Sequence, residues 1–364
     1  FMKNQEKIFV IGHKNPDTDS ICSAIAYCDI KNRTTQESRY IPKRAGQINE
    51  ETEYVLNRFG VHPPGYLSNI GTQVKDMDIR LSPEANKSMS LKNAWDLMQE
   101  NSIVSLPIRE KDGTLEGLIT IGDIAKTYMD TTDSYLLSRA RTQYQRIAET
   151  IGGKVIEGNA HGYFIQGKIM VATANPDKMK EYVEENDMVI MGNREEDHLQ
   201  AIEQNVSCII VGMGIEVTEK VLKLAHEKDI VIISSPYDTF TISRLINQSI
   251  PVKYIMKTDN LVTFNTEDFT DDIQEVMIKH RHRAFPVINK KGKCIGTISR
   301  RNFLDMHRKK VVLVDHNEKD QAVDNIDKAD IMEIIDHHKL GTLQTMQPIS
   351  FRNQPVGCTG TIMY

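Results

Sequence analysis

Residues 12–20 place one imidazole and two carboxylates close together in a short polar segment. The groups are those of His13, Asp17 and Asp19, and the segment separates an apolar run from a helix-like stretch. Nitrogen and oxygen donors in one loop suit Mn²⁺, Co²⁺ or Fe²⁺ better than Ca²⁺ or a thiolate-bound metal. The alternative is a helix-capping turn, in which Asp19 or Ser20 caps the helix and His13 is incidental.

Two further clusters of the same chemical type occur near the other end of the chain. Asp315 and His316 follow one apolar, strand-like run, and Asp336, His337 and His338 follow another. In α/β proteins, ligands bind beyond the carboxyl ends of the parallel strands. A single histidine at a strand end is more often structural, whereas three such clusters on one sheet edge favour a metal site.

The elements that must position these groups are those of a parallel α/β domain. Residues 8–11 predict a buried strand, and residues 20–30 predict the helix after it. The same strand pattern returns only at residues 311–314 and 334–335. A large insertion therefore separates the first cluster from the other two.

The insertion contains an internal repeat. Pro107 corresponds to Pro286 and Gly113 to Gly292, with similar apolar runs around each pair. Each copy predicts a helix, a strand, a glycine turn, a strand and a helix. Between the copies, strand-like and helical runs over residues 138–248 predict a small α/β domain.

Composition narrows the class of protein. The chain is 40% hydrophobic and 26% charged, without a run long enough to span a membrane. Its net charge of −5, with both signs interspersed, argues against nucleic acid as the main partner. Its five cysteines are scattered, which indicates neither a disulfide framework nor a zinc ribbon. Because no signal-peptide pattern precedes the first strand, we expect a cytoplasmic protein.

Three motifs carry a family resemblance: Gly-His-x-Asn-Pro-Asp-Thr-Asp-Ser-Ile, Val-Asp-His-Asn-Glu and Ile-Asp-His-His. Together with residues 44–52 they resemble the family II inorganic pyrophosphatases of the DHH phosphoesterase superfamily, over residues 7–65 and 309–364. The resemblance implies a parallel-sheet DHH domain and two Mn²⁺ or Co²⁺ ions, with Mg²⁺ entering with the substrate. It also implies hydrolysis of pyrophosphate to two phosphates by a metal-bridging hydroxide.

The resemblance implies a role for each matching metal ligand. His13 and Asp17 would bind the first ion. Asp19 and His337 would bind the second, and Asp315 would bridge both.

The same resemblance implies three residues that act beside the ions. His338 would contact the electrophilic phosphate, whereas Asp336 and His316 would support the site from close by. The family has one further aspartate ligand and a basic C-terminal domain, and neither is found before Tyr364. We therefore expect the 364-residue chain alone to bind metal weakly and to be inactive or nearly so.

The insertion resembles a pair of CBS domains flanking a DRTGG domain, as in the regulated subtype of these pyrophosphatases. The resemblance implies the following boundaries: DHH domain 1–65 and 309–364, first CBS domain 66–137, DRTGG-like domain 138–250, second CBS domain 251–308. It further implies binding of AMP, ADP, ATP or a diadenosine polyphosphate, and a homodimer formed through the CBS domains.

The CBS pattern Gly-x-x-Thr/Ser-x-x-Asp implies candidate nucleotide ligands. In the first copy Thr120 would bind phosphate and Asp123 the ribose hydroxyls. In the second copy Ser299 is present, but Asn302 replaces the carboxylate. Arg300 could neutralise phosphates, or it could belong to a solvated basic face.

Two other functions stay open from the sequence. The first is a phosphodiesterase or exopolyphosphatase of the DHH type. The second is a catalytically silent adenine-nucleotide sensor, against which the complete set of metal-binding side chains argues.

Overall fold

A computed structural model of the chain describes residues 7–129, 133–172, 176–304 and 306–363. The chain forms two compact units. The first unit consists of Phe1–Ile79, Asn265–Arg281 and Arg300–Tyr364, and the second of Arg80–Phe264 and His282–Ser299. No helix in these described ranges is both long and apolar enough to cross a membrane.

The strands, in chain order, are β1 (Ile8–Ile11), β2 (Tyr40–Arg44), β3 (Gly65–Tyr66), β4 (Arg80–Leu81), β5 (Ser105–Arg109), β6 (Leu115–Thr120), β7 (Thr142–Gln143), β8 (Lys154–Glu157), β9 (Tyr163–Phe164), β10 (Ile169–Val171), β11 (Met188–Met191), β12 (Cys208–Val211), β13 (Val231–Ser234), β14 (Phe264–Asn265), β15 (Phe285–Ile288), β16 (Cys294–Ile298), β17 (Lys310–Val314), β18 (Asp330–Asp336) and β19 (Ser350–Asn353).

The α-helices are α1 (Thr18–Thr35), α2 (Glu50–Arg58), α3 (Leu91–Glu100), α4 (Ile121–Met129), α5 (Leu136–Arg139), α6 (Tyr144–Thr150), α7 (Pro176–Tyr182), α8 (Glu195–Glu203), α9 (Glu219–Glu227), α10 (Thr239–Leu245), α11 (Thr270–Lys279) and α12 (Thr359–Met363).

The first unit is built on a six-stranded parallel sheet in the order β19–β18–β17–β1–β2–β3. Neighbouring residues of its central strands are buried on opposite faces. Ile11 and Leu313 lie in one apolar cluster, whereas Val10 and Val312 lie in another. Burial on both faces explains why these strands are continuous apolar runs.

Helix α1 begins at Thr18 and extends to Thr35, which is longer than the predicted 20–30. Its N-cap is Asp17, whose Oδ1 accepts a hydrogen bond from the backbone N–H of Ser20 over 2.9 Å. Asp17 therefore caps the helix, and Asp19 and Ser20 do not. Asp19 lies in the first helical turn and is available for another role.

The repeat forms two antiparallel hairpins, β5–β6 and β15–β16. Gly113 and Gly292 have φ of 91° and 75° in the two turns, which glycine adopts without strain. The helix predicted after the second hairpin is replaced by a short 3₁₀ turn at Arg300–Phe303. Asn302 is the counterpart, in the second copy, of Asp123 in the first. Its side-chain amide donates to the carbonyl of Asp78 over 2.5 Å.

The segment between the hairpins forms a five-stranded sheet in the order β10–β11–β12–β13–β8, in which only β8 is antiparallel. The predicted strands around Met188 and Cys208 are present as β11 and β12. Ile210 packs into one apolar cluster and Ile209 into another, so helices cover both faces.

Candidate functional site

The loops after β1, β17 and β18 meet at one edge of the six-stranded sheet. The parallel register pairs Ile11 with Leu313 and Val314 with Ile335, so the three strands end side by side. The predicted acidic and imidazole clusters begin one or two residues beyond these pairs. The structure therefore brings together groups that are far apart in the sequence.

The carboxylate of Asp315 lies between two imidazoles. Its Oδ2 is 3.4 Å from Nε2 of His13, and its Oδ1 is 3.4 Å from Nε2 of His337. The Asp315 side chain is only 1% exposed, and its φ of 63° turns the chain sharply at the end of β17. One buried carboxylate thus presents one oxygen to each histidine.

Two groups of donors share Asp315. His13, Asp17 and Asp315 place one ligand atom each within 4.8 Å of one another, and so do Asp315, His337 and His338. Nε2 of His13 is 3.8 Å from Oδ1 of Asp17. These are spacings at which a cation could be held between the donors.

The hydrogen bonds of His337 determine which nitrogen can accept a metal. Its Nδ1 lies 2.9 Å from the carbonyl oxygen of Val356, so Nδ1 carries the proton and donates. In the neutral ring Nε2 is then the nitrogen without a proton, and it is the atom that faces Asp315 and Asp19, at 3.4 and 3.8 Å. A ligating histidine whose other nitrogen donates to a carbonyl is the usual arrangement in metal sites.

Asp19 is held by donors that the sequence did not predict. Its Oδ2 accepts the backbone N–H of Thr359 over 2.6 Å. Its Oδ1 accepts the backbone N–H of Gly360 and the hydroxyl of Ser23, over 3.0 Å each. The hydroxyl of Thr359 also donates to Oδ1 of Asp315 over 2.9 Å. The only sequence signal for this turn is a Thr-Gly pair that opens a short helix.

Asp336 is fully buried and organises the loop that carries the two histidines. Its Oδ1 accepts Nδ1 of His338 and the backbone N–H of His337, both over 2.8 Å. Its Oδ2 accepts the side-chain amide of Asn317. The carboxylate thus orients His338, whose side chain is 51% exposed at the edge of the site.

His316 is fully buried and belongs to neither group of donors. Its Nδ1 donates to the carbonyl of Val314 over 2.9 Å, and its Nε2 has no hydrogen-bond partner among the residues that the structure describes. Burial lowers the pKa of His316 to about 4, so the ring is neutral at physiological pH.

Asp315 and His13 shift each other's pKa. Burial raises the pKa of Asp315, and the facing His13 only partly offsets this. Burial also opposes a charge on His13, but Asp315 and Asp17 outweigh it and raise the pKa of that imidazole. Oδ2 of Asp315 makes no hydrogen bond among the described residues. A buried carboxylate oxygen without a hydrogen bond, shared by two groups of donors, fits a site for divalent cations.

The candidate nucleotide ligands lie on both units. Thr120, Asp123 and Ser299 belong to the second unit and Arg300 to the first. Oδ2 of Asp123 accepts both the hydroxyl and the backbone N–H of Thr120, over 2.6 and 2.9 Å. The guanidinium of Arg300 donates to two backbone carbonyls at the C-terminal end of α11.

Comparisons with known proteins agree with these observations. The CBS domain family matches residues 79–130 and 252–309, and the DRTGG domain family matches residues 146–249. The chain is 39% identical over 360 residues to the cobalt-dependent inorganic pyrophosphatase of Clostridium perfringens. The aligned region covers 99% of this chain and 65% of that protein. It is 33% identical over 362 residues to a probable manganese-dependent inorganic pyrophosphatase of Thermotoga maritima, covering 100% of this chain and 66% of that protein.

The chain thus spans less than two thirds of the length of these two curated relatives. A solved structure extends the likeness to the insertion: the CBS and DRTGG domains of the regulatory region of Clostridium perfringens pyrophosphatase, complexed with its activator diadenosine tetraphosphate. The sequence of that structure is 34% identical to this chain, and the TM-score is 0.60. The match covers 63% of this chain and 100% of the solved one. The resemblance indicated by the motifs is confirmed. The chain is a homologue, along its whole length, of the cobalt- and manganese-dependent inorganic pyrophosphatases, and it contains their CBS and DRTGG domains.

Proposed function

We propose that the protein containing this chain hydrolyses inorganic pyrophosphate to two phosphates with two divalent ions, and that adenine nucleotides regulate it. The observation that carries the proposal is the position of Asp315, whose two oxygens each lie 3.4 Å from a different imidazole. Such a carboxylate can bridge two ions, which is what a phosphoanhydride hydrolase without a side-chain nucleophile needs.

The residues at the sheet edge divide between two ion sites. His13 and Asp17 would complete the first site, and Asp19 and His337 the second, with Asp315 common to both. When bound, Mn²⁺ or Co²⁺ ions would lower the pKa of a water molecule and neutralise charge that develops on the transferred phosphate. Mg²⁺ would enter with the substrate.

The remaining side chains would act on the substrate or on their neighbours. His338 is the exposed imidazole of the site, and Asp336 fixes it through Nδ1, which leaves the Nε2 edge to meet a phosphate oxygen. His316, neutral and buried, would support the site without a charge of its own. Neither role requires a covalent intermediate.

We further propose that the CBS pair binds AMP, ADP, ATP or a diadenosine polyphosphate. Support comes from Thr120 and Asp123 at the start of α4 and from the related regulatory region, which was solved with diadenosine tetraphosphate. A homodimer formed through the CBS domains and a cytoplasmic location are parts of the same proposal.

Metal titration and substrate choice together test the catalytic proposal. The chelator-treated full-length protein is titrated with Co²⁺, and we expect two ions per chain. Phosphate release from pyrophosphate is then compared with release from polyphosphate and with cleavage of bis-p-nitrophenyl phosphate, which distinguishes a pyrophosphatase from the other DHH-type enzymes. Pyrophosphate should be hydrolysed fastest. Faster cleavage of the diester or of polyphosphate would overturn the assignment, and metal binding without any hydrolysis by the full-length protein would favour a nucleotide sensor.

A further inference from the structure

We propose that Thr359 is a positioning residue that fixes the second ion site by holding the carboxylates of Asp19 and Asp315 together. This inference rests on the proposed function, because it concerns how one of the two ion sites is built. Thr359 is fully buried. It therefore cannot serve as a surface contact, and its hydrogen bonds must be satisfied inside the protein.

Thr359 contacts both carboxylates through different atoms. Its backbone N–H donates to Oδ2 of Asp19 over 2.6 Å, and its hydroxyl donates to Oδ1 of Asp315 over 2.9 Å. The backbone N–H of Gly360 adds a third bond, to Oδ1 of Asp19, over 3.0 Å. Asp19 lies on α1 and Asp315 follows β17, so the first residues of α12 connect two distant elements.

The two carboxylates would repel each other in the absence of an ion. Like charges at close range disfavour the ionised forms, and burial increases that cost. Three donors from one short turn offset the repulsion and keep both groups in place before an ion arrives. Such preorganisation is how supporting residues raise the affinity of a metal site.

The contact is asymmetric between the two ion sites. The Thr359 hydroxyl binds Oδ1 of Asp315, the oxygen that faces His337, whereas Oδ2, which faces His13, has no hydrogen bond among the described residues. Asp17, on the side of His13, is held instead by the backbone N–H of Ser20. Loss of the hydroxyl should therefore weaken one site and leave the other largely unchanged.

The experiment compares Thr359→Val with Thr359→Ser in the full-length protein. Valine keeps the branched shape and removes the hydroxyl, while serine keeps the hydroxyl and removes the methyl group. Each chelator-treated protein is titrated with Co²⁺ by calorimetry and by visible absorption of the bound ion. For Thr359→Val we expect one ion to bind as in the wild type and the other about tenfold or more weakly. Thr359→Ser should resemble the wild type.

Other results of the titration would contradict the role of the Thr359 hydroxyl or the proposed function. Equal binding of both ions by Thr359→Val and the wild type would overturn the inference, as would an equal loss of affinity at both sites, because a general packing defect would not discriminate between them. An equal effect of both substitutions would also overturn it, because serine keeps the hydroxyl and should then bind both ions as the wild type does. If Thr359→Val does not fold, Thr359→Ala decides by the same titration. A wild type that binds fewer than two ions would count against the proposed function instead.

Discussion

The hydroxyl of Thr120 donates to Oδ2 of Asp123 over 2.6 Å. The same oxygen accepts the backbone N–H of Thr120, and Oδ1 lies 3.4 Å from Nζ of Lys257. The carboxylate predicted to bind ribose hydroxyls therefore also stabilises the start of α4. A nucleotide that binds through Asp123 would share these acceptor oxygens with the helix.

Replacing Asp123 with Ala should weaken nucleotide binding, because unpaired ribose hydroxyls typically cost about 1–3 kcal/mol, roughly a five- to hundredfold loss of affinity. Calorimetry with ADP and with diadenosine tetraphosphate measures the change. Asp123→Asn keeps an acceptor for the helix start and should have the smaller effect on stability. Asp112→Ala, in the hairpin turn of the same repeat, is the matched control. A folded wild type that gives no heat with any adenine nucleotide would make the insertion a structural or dimerisation module.

Replacing Asp315 with Ala should remove a ligand from both ion sites at once. We expect metal content to fall well below two ions per chain and pyrophosphate hydrolysis by the full-length protein to be lost, since the proposed bridging carboxylate would serve both ions. Cys28→Ala is the control, because that buried thiol has no proposed role. Metal analysis and phosphate release test this. Retention of two ions and full turnover by Asp315→Ala would show that another group bridges.

The full-length protein should hydrolyse pyrophosphate much faster with Mn²⁺ or Co²⁺ in the ion sites than with Mg²⁺ alone. The physical reason is that imidazole ligands suit Mn²⁺ and Co²⁺ better than Mg²⁺, which prefers oxygen donors and retains its water. The measurement is phosphate release after chelator treatment and reconstitution with each ion in turn. Equal rates with Mg²⁺ alone would contradict the metal assignment.

The metal-free chain should lose stability on acidification partly through His316. The pKa of this buried imidazole is lowered from its ordinary 6.5 to about 4, so its contribution is complete above pH 6.5 and is lost as the pH falls towards 4. The full shift corresponds to a destabilisation on the order of 3 kcal/mol. Denaturant unfolding of the wild type and of His316→Asn, at several pH values, should show a shallower acid loss in the variant. His62→Asn, at an exposed position, should follow the wild type. Identical slopes for wild type and His316→Asn would contradict this account.

The location of the candidate metal site could be predicted because its residues follow apolar runs. A strand that is buried on both faces must be apolar until it reaches the sheet edge, so the polar residues after Ile11, Val314 and Ile335 mark that edge directly. The hairpin turn in each repeat could also be predicted, because only glycine adopts the required positive φ at low cost.

What could not be predicted depends on contacts between distant segments. Nothing in the local pattern distinguishes Asp17 from Asp19 as the cap of α1, since both precede helical residues. The role of Thr359 depends on how α12 lies against α1 and β17, which no periodicity encodes. The predicted helix at Arg300–Phe303 failed for a similar reason, because its residues are engaged with backbone carbonyls elsewhere in the same unit.

The carbonyl of Val356 that accepts Nδ1 of His337 belongs to the main chain. Every amino acid has the same backbone carbonyl. A substitution at position 356 would therefore leave the tautomer of His337 unchanged, provided that the backbone conformation is kept. His338 is different, because its Nδ1 depends on the side chain of Asp336, which a single codon change can remove. The orientation of His337 therefore tolerates substitution of its hydrogen-bond partner. The orientation of His338 does not, because it depends on the side chain of a second residue, Asp336.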